Sequence, residues 1–136
     1  MDLSKTLHIA AAGMSAQGKR LRVVAENLAN ADSTAQTQGG EPYRRKIISF
    51  KSALDRENGV QSVQVAGIRS GPGEFERRYD PGHPAADADG YVLLPNVNPL
   101  VEVMDMREAQ RSYQANVAVI EAAKNMIGRT LEILQG

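Results

Sequence analysis

The chain has 136 residues, a formal net charge of +0 and no cysteine. The balanced charge excludes a strong global field that would recruit nucleic acid or an anionic membrane, and the lack of cysteine excludes disulfides, thiolate zinc sites and cysteine nucleophiles. Aromatic residues make up only 4% of the chain, and none is Trp. Because large rings bury the most area per residue, we expect a weak core that needs partners to be complete.

The N-terminal 41 residues contain no proline, and a large apolar side chain recurs in them every seven residues. This period predicts a long helix, capped by Asp2 or Ser4 and ending near Asn30. An acidic residue stands where a signal peptide has its basic region, and the helical pattern continues past the short apolar run, so we expect no cleaved signal. The predicted stripe consists of Leu7, Met14, Leu21 and Leu28, flanked by Leu3, Ala10, Val24 and Ala31.

The middle of the chain contains all six prolines, which lie between positions 42 and 99. After a polar loop, short runs with β-type composition predict strands at 43–50, 60–68, 75–79 and 91–94. Gly-Pro and Asp-Gly pairs between these runs predict turns, since Gly supplies positive φ and Pro restricts φ to negative values. We therefore expect a small β and loop module.

The C-terminal segment has the same seven-residue apolar period as the N-terminal segment. Pro99 suits the first turn of a helix, with Asn98 as its cap. Large apolar residues then follow every seven positions to the end of the chain, and no apolar run approaches a membrane span. The predicted stripe consists of Met106, Tyr113, Ile120, Ile127 and Leu134, with Val103, Val117 and Leu131 on the adjoining seam.

These elements predict an α+β fold in which the two terminal helices pair as a coiled-coil-like hairpin beside the central module. The expected segments are an N-terminal helix over 1–34, the module over 35–98 and a C-terminal helix over 99–136. The helix pair can be the core of a small monomer, or it can carry further apolar faces that pack against neighbouring copies. Small residues on both helices, such as Gly13 and Ala109, suit close helix packing.

One cluster resembles a catalytic or metal site. His83 lies near Asp80, Asp87 and Asp89, but no second His stands at ligand spacing, and two prolines and two glycines around it favour a packed turn. The basic run 44–46 lacks interleaved aromatics, so we interpret it as a solvated strand face or as a salt bridge to a neighbouring subunit. No phosphate loop, nucleophile set or carboxylate pair is present. We expect no catalytic residue, cofactor or metal.

Several motifs resemble the flagellar rod proteins. The segments 9–17 and 25–34 resemble the N-terminal helix of this family and its Asn-rich end, and 112–117 resembles its C-terminal helix. The segments 42–46, 79–84, 90–92 and 95–98 resemble the proximal rod subunit in particular. This resemblance implies a structural subunit of the bacterial flagellar basal-body rod, which spans the periplasm.

The same resemblance implies a mode of assembly. The subunit would be exported through the flagellar type III export apparatus without a cleaved signal, and would then polymerise in the periplasm with copies of itself and other rod subunits. The product would be a helical tube that transmits torque and encloses the export channel, without nucleic acid and without membrane insertion. A helical-hairpin adaptor that binds one partner helix is the alternative, and a hydrolase centred on His83 is a remote third.

The expected interface residues lie on the two helices. Asn27 and Asn30 can cap the first helix or bond to a neighbour, and Tyr113 can be core or can offer its hydroxyl across an interface. The full set is Leu7, Met14, Leu21, Asn27, Leu28, Asn30, Tyr113, Asn116, Val117, Ile120, Ile127 and Leu131.

Overall fold

The computed structural model describes residues 2–136. In sequence, two long terminal helices flank two small two-stranded sheets, which confirms the predicted α+β class. In chain order the elements are α1 (Leu3–Ala29), β1 (Lys46–Asp55), β2 (Val60–Ser70), β3 (Glu76–Tyr79), β4 (Tyr91–Leu94) and α2 (Pro99–Gln135).

Both helices begin as their capping residues predict. Asp2 Oδ1 accepts a hydrogen bond from Ser4 N at 2.9 Å, and Asn98 Oδ1 accepts one from Leu100 N at 3.1 Å. Each of these bonds satisfies an amide that has no partner inside the helix. Pro99 is the first residue of α2, where its missing N–H and fixed φ cost nothing.

The first sheet joins β1 to β2 through the turn at 56–59, in which Gly59 has a φ of 65°. The prediction that the first strand begins at residue 43 is wrong, because two backbone amides before Lys46 bind elsewhere. Tyr43 N donates to Ser33 O at 3.2 Å, and Arg45 N donates to Asn96 Oδ1 at 2.7 Å. The strand then continues to Asp55, past the predicted end at residue 50.

The second sheet pairs β3 antiparallel to β4, with Tyr79 opposite Tyr91. The two rings meet edge to face, with their centroids 5.3 Å apart. Gly90 precedes β4 with a φ of 85°, and a Cβ at this position would lie 3.0 Å from the Tyr79 ring. The turn therefore depends on glycine for both its conformation and its space.

The chain divides into two compact units. Unit 1 comprises 2–21, 49–67 and 107–136 of the described residues, and unit 2 comprises 22–48 and 68–106. The buried apolar residues of unit 1 are small, with Val60 the largest. In unit 2, two of the three largest fully buried side chains are polar, since Asn27 and Glu102 accompany Val92. Few large apolar side chains among the described residues are buried in either unit, as the low aromatic content predicted.

Candidate functional site

A group of polar residues, two of them buried, joins the end of α1 to the beginning of α2 in unit 2. We call Asn27, Tyr43, Arg45, Lys46 and Glu102 the polar cluster. Asn27 lies in the last turns of α1 and Glu102 in the first turn of α2. The other three belong to the segment that leads into β1. Three distant parts of the sequence therefore meet within hydrogen-bond distance.

Asn27 is 1% exposed and uses its whole hydrogen-bonding capacity. Its Nδ2 donates to Lys46 O at 2.9 Å and to Glu102 Oε2 at 3.2 Å. Its Oδ1 accepts from Tyr43 OH at 2.8 Å and from Lys46 N at 2.9 Å. In this conformation Asn27 therefore has no donor or acceptor left for a neighbouring subunit. Its predicted role in an intersubunit contact stays a prediction.

Glu102 is the other buried member, with 0% of its surface exposed. Its Oε1 accepts from Arg45 Nε, and the same guanidinium lies 3.4 Å from Asp105 Oδ2. The first turn of a helix favours a carboxylate, because free backbone amides concentrate positive potential there. Loss of the guanidinium would be costly, because the buried carboxylate of Glu102 would remain without a cationic partner.

The basic run at the start of β1 thus acts within the chain. The prediction of a solvated strand face or of a salt bridge to another subunit is wrong for Arg45, whose partners are Glu102 and Asp105. Lys46 Nζ lies 2.6 Å from Glu26 Oε1. Arg44 donates to the carbonyls of Gly71 and Gly73 and stacks on a ring, Phe75, at 4.3 Å. Sequence patterns could not reveal these contacts, because the partners are remote in the chain.

The pKa of the Tyr43 hydroxyl is shifted by its surroundings in the polar cluster. Burial raises the pKa of its hydroxyl above 10.0, and the negative charges of Glu26 and Glu102 raise it further. Both causes disfavour the phenolate, the first by removing water and the second by repulsion. The hydroxyl therefore stays a hydrogen-bond donor to Asn27 well into the alkaline range.

Asn30 has the capping role that was one of its two predicted roles. Its Nδ2 donates to Glu26 O at 2.9 Å, and its Oδ1 accepts from Ser33 Oγ at 3.1 Å. Glu26 O also accepts from Asn30 N at 3.1 Å, so the side chain adds a second donor to a carbonyl in the last turn of α1. The prediction that Asn30 also bonds to an adjacent subunit stays a prediction.

In unit 1 the two helices lie antiparallel and close together. A Cβ on Gly13 would lie 2.7 Å from Asn116 Nδ2, so the amide sits directly against the glycine backbone. Seven residues further along α1, Arg20 forms an ion pair at 3.4 Å with Glu108, which precedes Asn116 in α2. The buried positions of this unit include Ala10, Ala16, Ala109 and Ala123. At Gly13 a small residue, and not a member of the large stripes, lies against the other helix.

The predicted large stripes are incompletely covered by the chain's own residues. Of the stripe residues in the predicted interface set, Leu131 is exposed and the others are half-buried. Those half-buried members are Leu7, Met14, Leu21, Leu28, Tyr113, Val117, Ile120 and Ile127. Their predicted role as interface residues stays a prediction.

A second apolar stripe on α2 is almost uncovered, and the sequence alone did not lead us to predict it. We call Val119, Met126 and Ile133 the outer stripe, and their exposed fractions are 41%, 57% and 79%. Their spacing of seven residues was the available signal. It was missed because a longer apolar series of the same period runs one position away.

The His83 region is a turn closed by its own hydrogen bonds. His83 Nδ1 accepts from Ala85 N at 3.0 Å, and Asp87 Oδ1 accepts from the amides of Asp89 and Tyr91. Across residues 2–136, no three His, Cys, Asp or Glu side chains are placed to hold a metal ion. Within the same residues, neither helix has a stretch apolar enough to cross a bilayer.

Comparison with known proteins places these features in a family. The family model described as "Flagella basal body rod protein" matches residues 7–35, and "Flagellar basal body rod FlgEFG protein C-terminal" matches 88–133. The chain is 48% identical over 133 residues to the flagellar basal-body rod protein FlgC of Agrobacterium fabrum, covering 98% of this chain and 96% of that protein. The chain belongs to the FlgC family. As a member of this family it is a structural subunit of the flagellar basal-body rod.

Other FlgC proteins match over nearly their whole length. The Salmonella typhimurium protein is 40% identical over 135 residues, which cover 99% of this chain and all of that protein. The Bacillus subtilis protein is 41% identical over 148 aligned positions, which cover 98% and 99% of the two chains. These relatives are named as rod proteins, and the matches cover nearly all of each chain. They therefore do not favour the adaptor or the hydrolase hypothesis.

Proposed function

We propose that this FlgC-family subunit polymerises through its terminal helices into a helical tube that transmits torque and encloses the export channel. Its partners are copies of itself and other rod subunits, and the flagellar type III export apparatus delivers it. The segments 1–34 and 99–136 would line the channel, and 35–98 would form the outward module. The observation that carries the proposal is the outer stripe, whose exposure rises to 79% at Ile133.

An uncovered apolar helix face is costly in water, so it favours association. Burying a Val, Met or Ile side chain gains about 1.5–3 kcal/mol relative to leaving it exposed. Val119, Met126 and Ile133 lie on one face, two turns apart, which suits knobs-into-holes packing with another helix. Leu131 and Leu134 widen the apolar surface at the end of α2, where they are also exposed.

The test places one charge on the outer stripe. Met126→Asp and Ile133→Asp should each prevent incorporation into purified basal bodies, because assembly would bury an unpaired carboxylate. Asn125→Asp is the matched control, since it adds the same carboxylate next to the stripe at an exposed position. It should assemble normally.

Two further measurements separate assembly from export and folding. The amount of secreted subunit and its helical circular dichroism should be equal in the stripe variants and the control. Incorporation of both stripe variants at the level of Asn125→Asp would contradict the proposal. The predicted interface residues would then have to act without the outer stripe.

A further inference from the structure

The apolar stripes leave the register between the two helices undecided. On α2 the large residues Met106, Tyr113 and Ile120 repeat every seven positions and continue to the end of the helix. If α2 slid by seven residues along α1, each large side chain would be replaced by another large side chain at the same place. Apolar packing of this kind fixes the face of a helix but distinguishes poorly between registers one heptad apart.

The small-residue seam is less regular than the apolar stripes. Asn116, which lies against Gly13, is flanked seven residues away on either side by Ala109 and Ala123. After a slide of one heptad, Gly13 would meet Ala123, whose side chain is smaller than the asparagine that now fits there. The slide would also carry Asn116 into the place of Ala109, which is 0% exposed, so the seam itself adds to the preference for one register.

The polar cluster does not repeat. The same slide would bring Ala109 to the position that Glu102 occupies beside Asn27. Asn27 Nδ2 would lose its carboxylate acceptor, and Arg45, which bridges the cluster to α2 through Glu102 and Asp105, would lose its buried partner. Buried donors without acceptors are strongly disfavoured, so only one register satisfies the polar groups.

We propose that Asn27, Arg45 and Glu102 form a register lock, which decides which turn of α1 lies beside which turn of α2. Tyr43 and Lys46 tie Asn27 to the strand segment, and Arg45 ties that same segment to α2. The three residues are positioning residues. Their consequence for rod assembly, that they align the surfaces offered to neighbouring subunits, rests on the proposed function.

The register can be measured on the dilute full chain by the distance between two spin labels. The chain has no cysteine, so Arg22→Cys and Met104→Cys would carry the only labels. Both positions are exposed in unit 2 and lie outside the lock. The otherwise unchanged chain should show one distance. Adding Asn27→Ala with Glu102→Ala should produce a second population, displaced by up to about 10 Å, which is seven residues at 1.5 Å each.

The control is Asn30→Ala, which removes an amide from the same end of α1 without touching the lock. It should leave a single distance. If the double alanine variant loses its helical circular dichroism, Glu102→Gln decides, because it keeps the side-chain shape, removes the charge and replaces one of the two acceptor oxygens by an NH2 donor. A second distance in Glu102→Gln supports the lock, and a single unchanged distance overturns it. Because no assembly is needed, failure here is distinct from failure of the proposed function.

Discussion

Asn27 Nδ2 lies 3.2 Å from Glu102 Oε2, and this contact between the last turns of α1 and the first turn of α2 is fully enclosed. Glu102 also accepts from Arg45, so one carboxylate holds an amide and a guanidinium together. A buried polar centre is unusual for a chain of this size, where apolar side chains normally dominate the interior. The contribution of Glu102 to the free energy of unfolding can be compared directly with that of an exposed ion pair in the same molecule.

Removal of the buried carboxylate should be far more damaging than removal of an exposed one. We expect Glu102→Ala to lower the free energy of unfolding by about 3–6 kcal/mol, since it removes two hydrogen bonds to a charged group, from Asn27 and from Arg45, of about 1.5–3 kcal/mol each. Glu108→Ala removes the carboxylate that pairs with Arg20, but this side chain is 68% exposed, so the loss should stay below about 1 kcal/mol. Denaturant unfolding of both variants measures the difference. Equal losses would show that burial does not set the strength of the Glu102 pair.

Two glycines of α1 should respond differently to alanine. A Cβ added at Gly18 would meet nothing within 4 Å, so Gly18→Ala should stabilise the helix by up to about 1 kcal/mol. Gly13→Ala should lose that gain, because its Cβ would displace Asn116 from its 3.0 Å bond to Ser112 O. Thermal unfolding measures both.

A second substitution tests the cause of the Gly13 effect. Asn116→Ala in the Gly13→Ala background removes the obstructing side chain, so it should recover part of the lost stability. Additive effects of the two substitutions would contradict a direct contact between these residues.

Tyr43 should make stability fall in alkali. Its pKa is raised in the folded chain by burial and by the charges of Glu26 and Glu102, so the folded state holds the proton longer than the unfolded state. The stabilising contribution is therefore fully present below pH 10 and is lost as the pH rises through the higher folded pKa. The free energy of unfolding is measured against pH for the unmodified chain and for Tyr43→Phe. The difference between the two curves isolates the contribution of Tyr43 ionisation. Identical slopes above pH 10 would exclude it.

Asp55 should make the stability fall in acid. The side-chain and backbone hydrogen bonds from Asn58 hold the pKa of its carboxyl below 3.8. A lowered folded pKa contributes stability above the unfolded value, and this is lost as the pH falls through the folded pKa. Asn58→Ala should move the Asp55 pKa upward in an NMR titration, whereas Asn125→Ala should leave it unchanged. A constant Asp55 pKa in Asn58→Ala would assign the effect to other groups.

The final turns of α2 should be the least protected part of that helix in the dilute chain. Every residue from 129 to 136 is exposed, whereas the first turn of α2 is anchored by Glu102. Amide hydrogen exchange should therefore be fast over 129–135 and slow around 102–109, because local opening needs few buried contacts to break. Assembled rods should slow exchange at the C-terminal end. Uniform strong protection along α2 in the monomer would contradict the proposal that its C-terminal end is an interface covered only on assembly.

The sequence alone determined the elements whose causes are local. Seven-residue periodicity and the confinement of proline to 42–99 predicted both helices, and Asp2 and Asn98 predicted how they begin. The Asn-rich and central motifs led to the rod family, which the comparisons confirmed. These features depend on neighbours a few positions away, so the residue pattern contains them directly.

The tertiary structure decided which side chains face inward and which residues meet. Asn27 and Asn30 are the same residue type three positions apart, yet one is enclosed by partners from 43–46 and 102 while the other caps its own helix. Periodicity placed the large residues on the helix seam, but it did not predict that Asn116 lies directly against Gly13. The reason is physical: a local repeat fixes the face of a helix, but the partner of a polar group depends on where the rest of the chain returns.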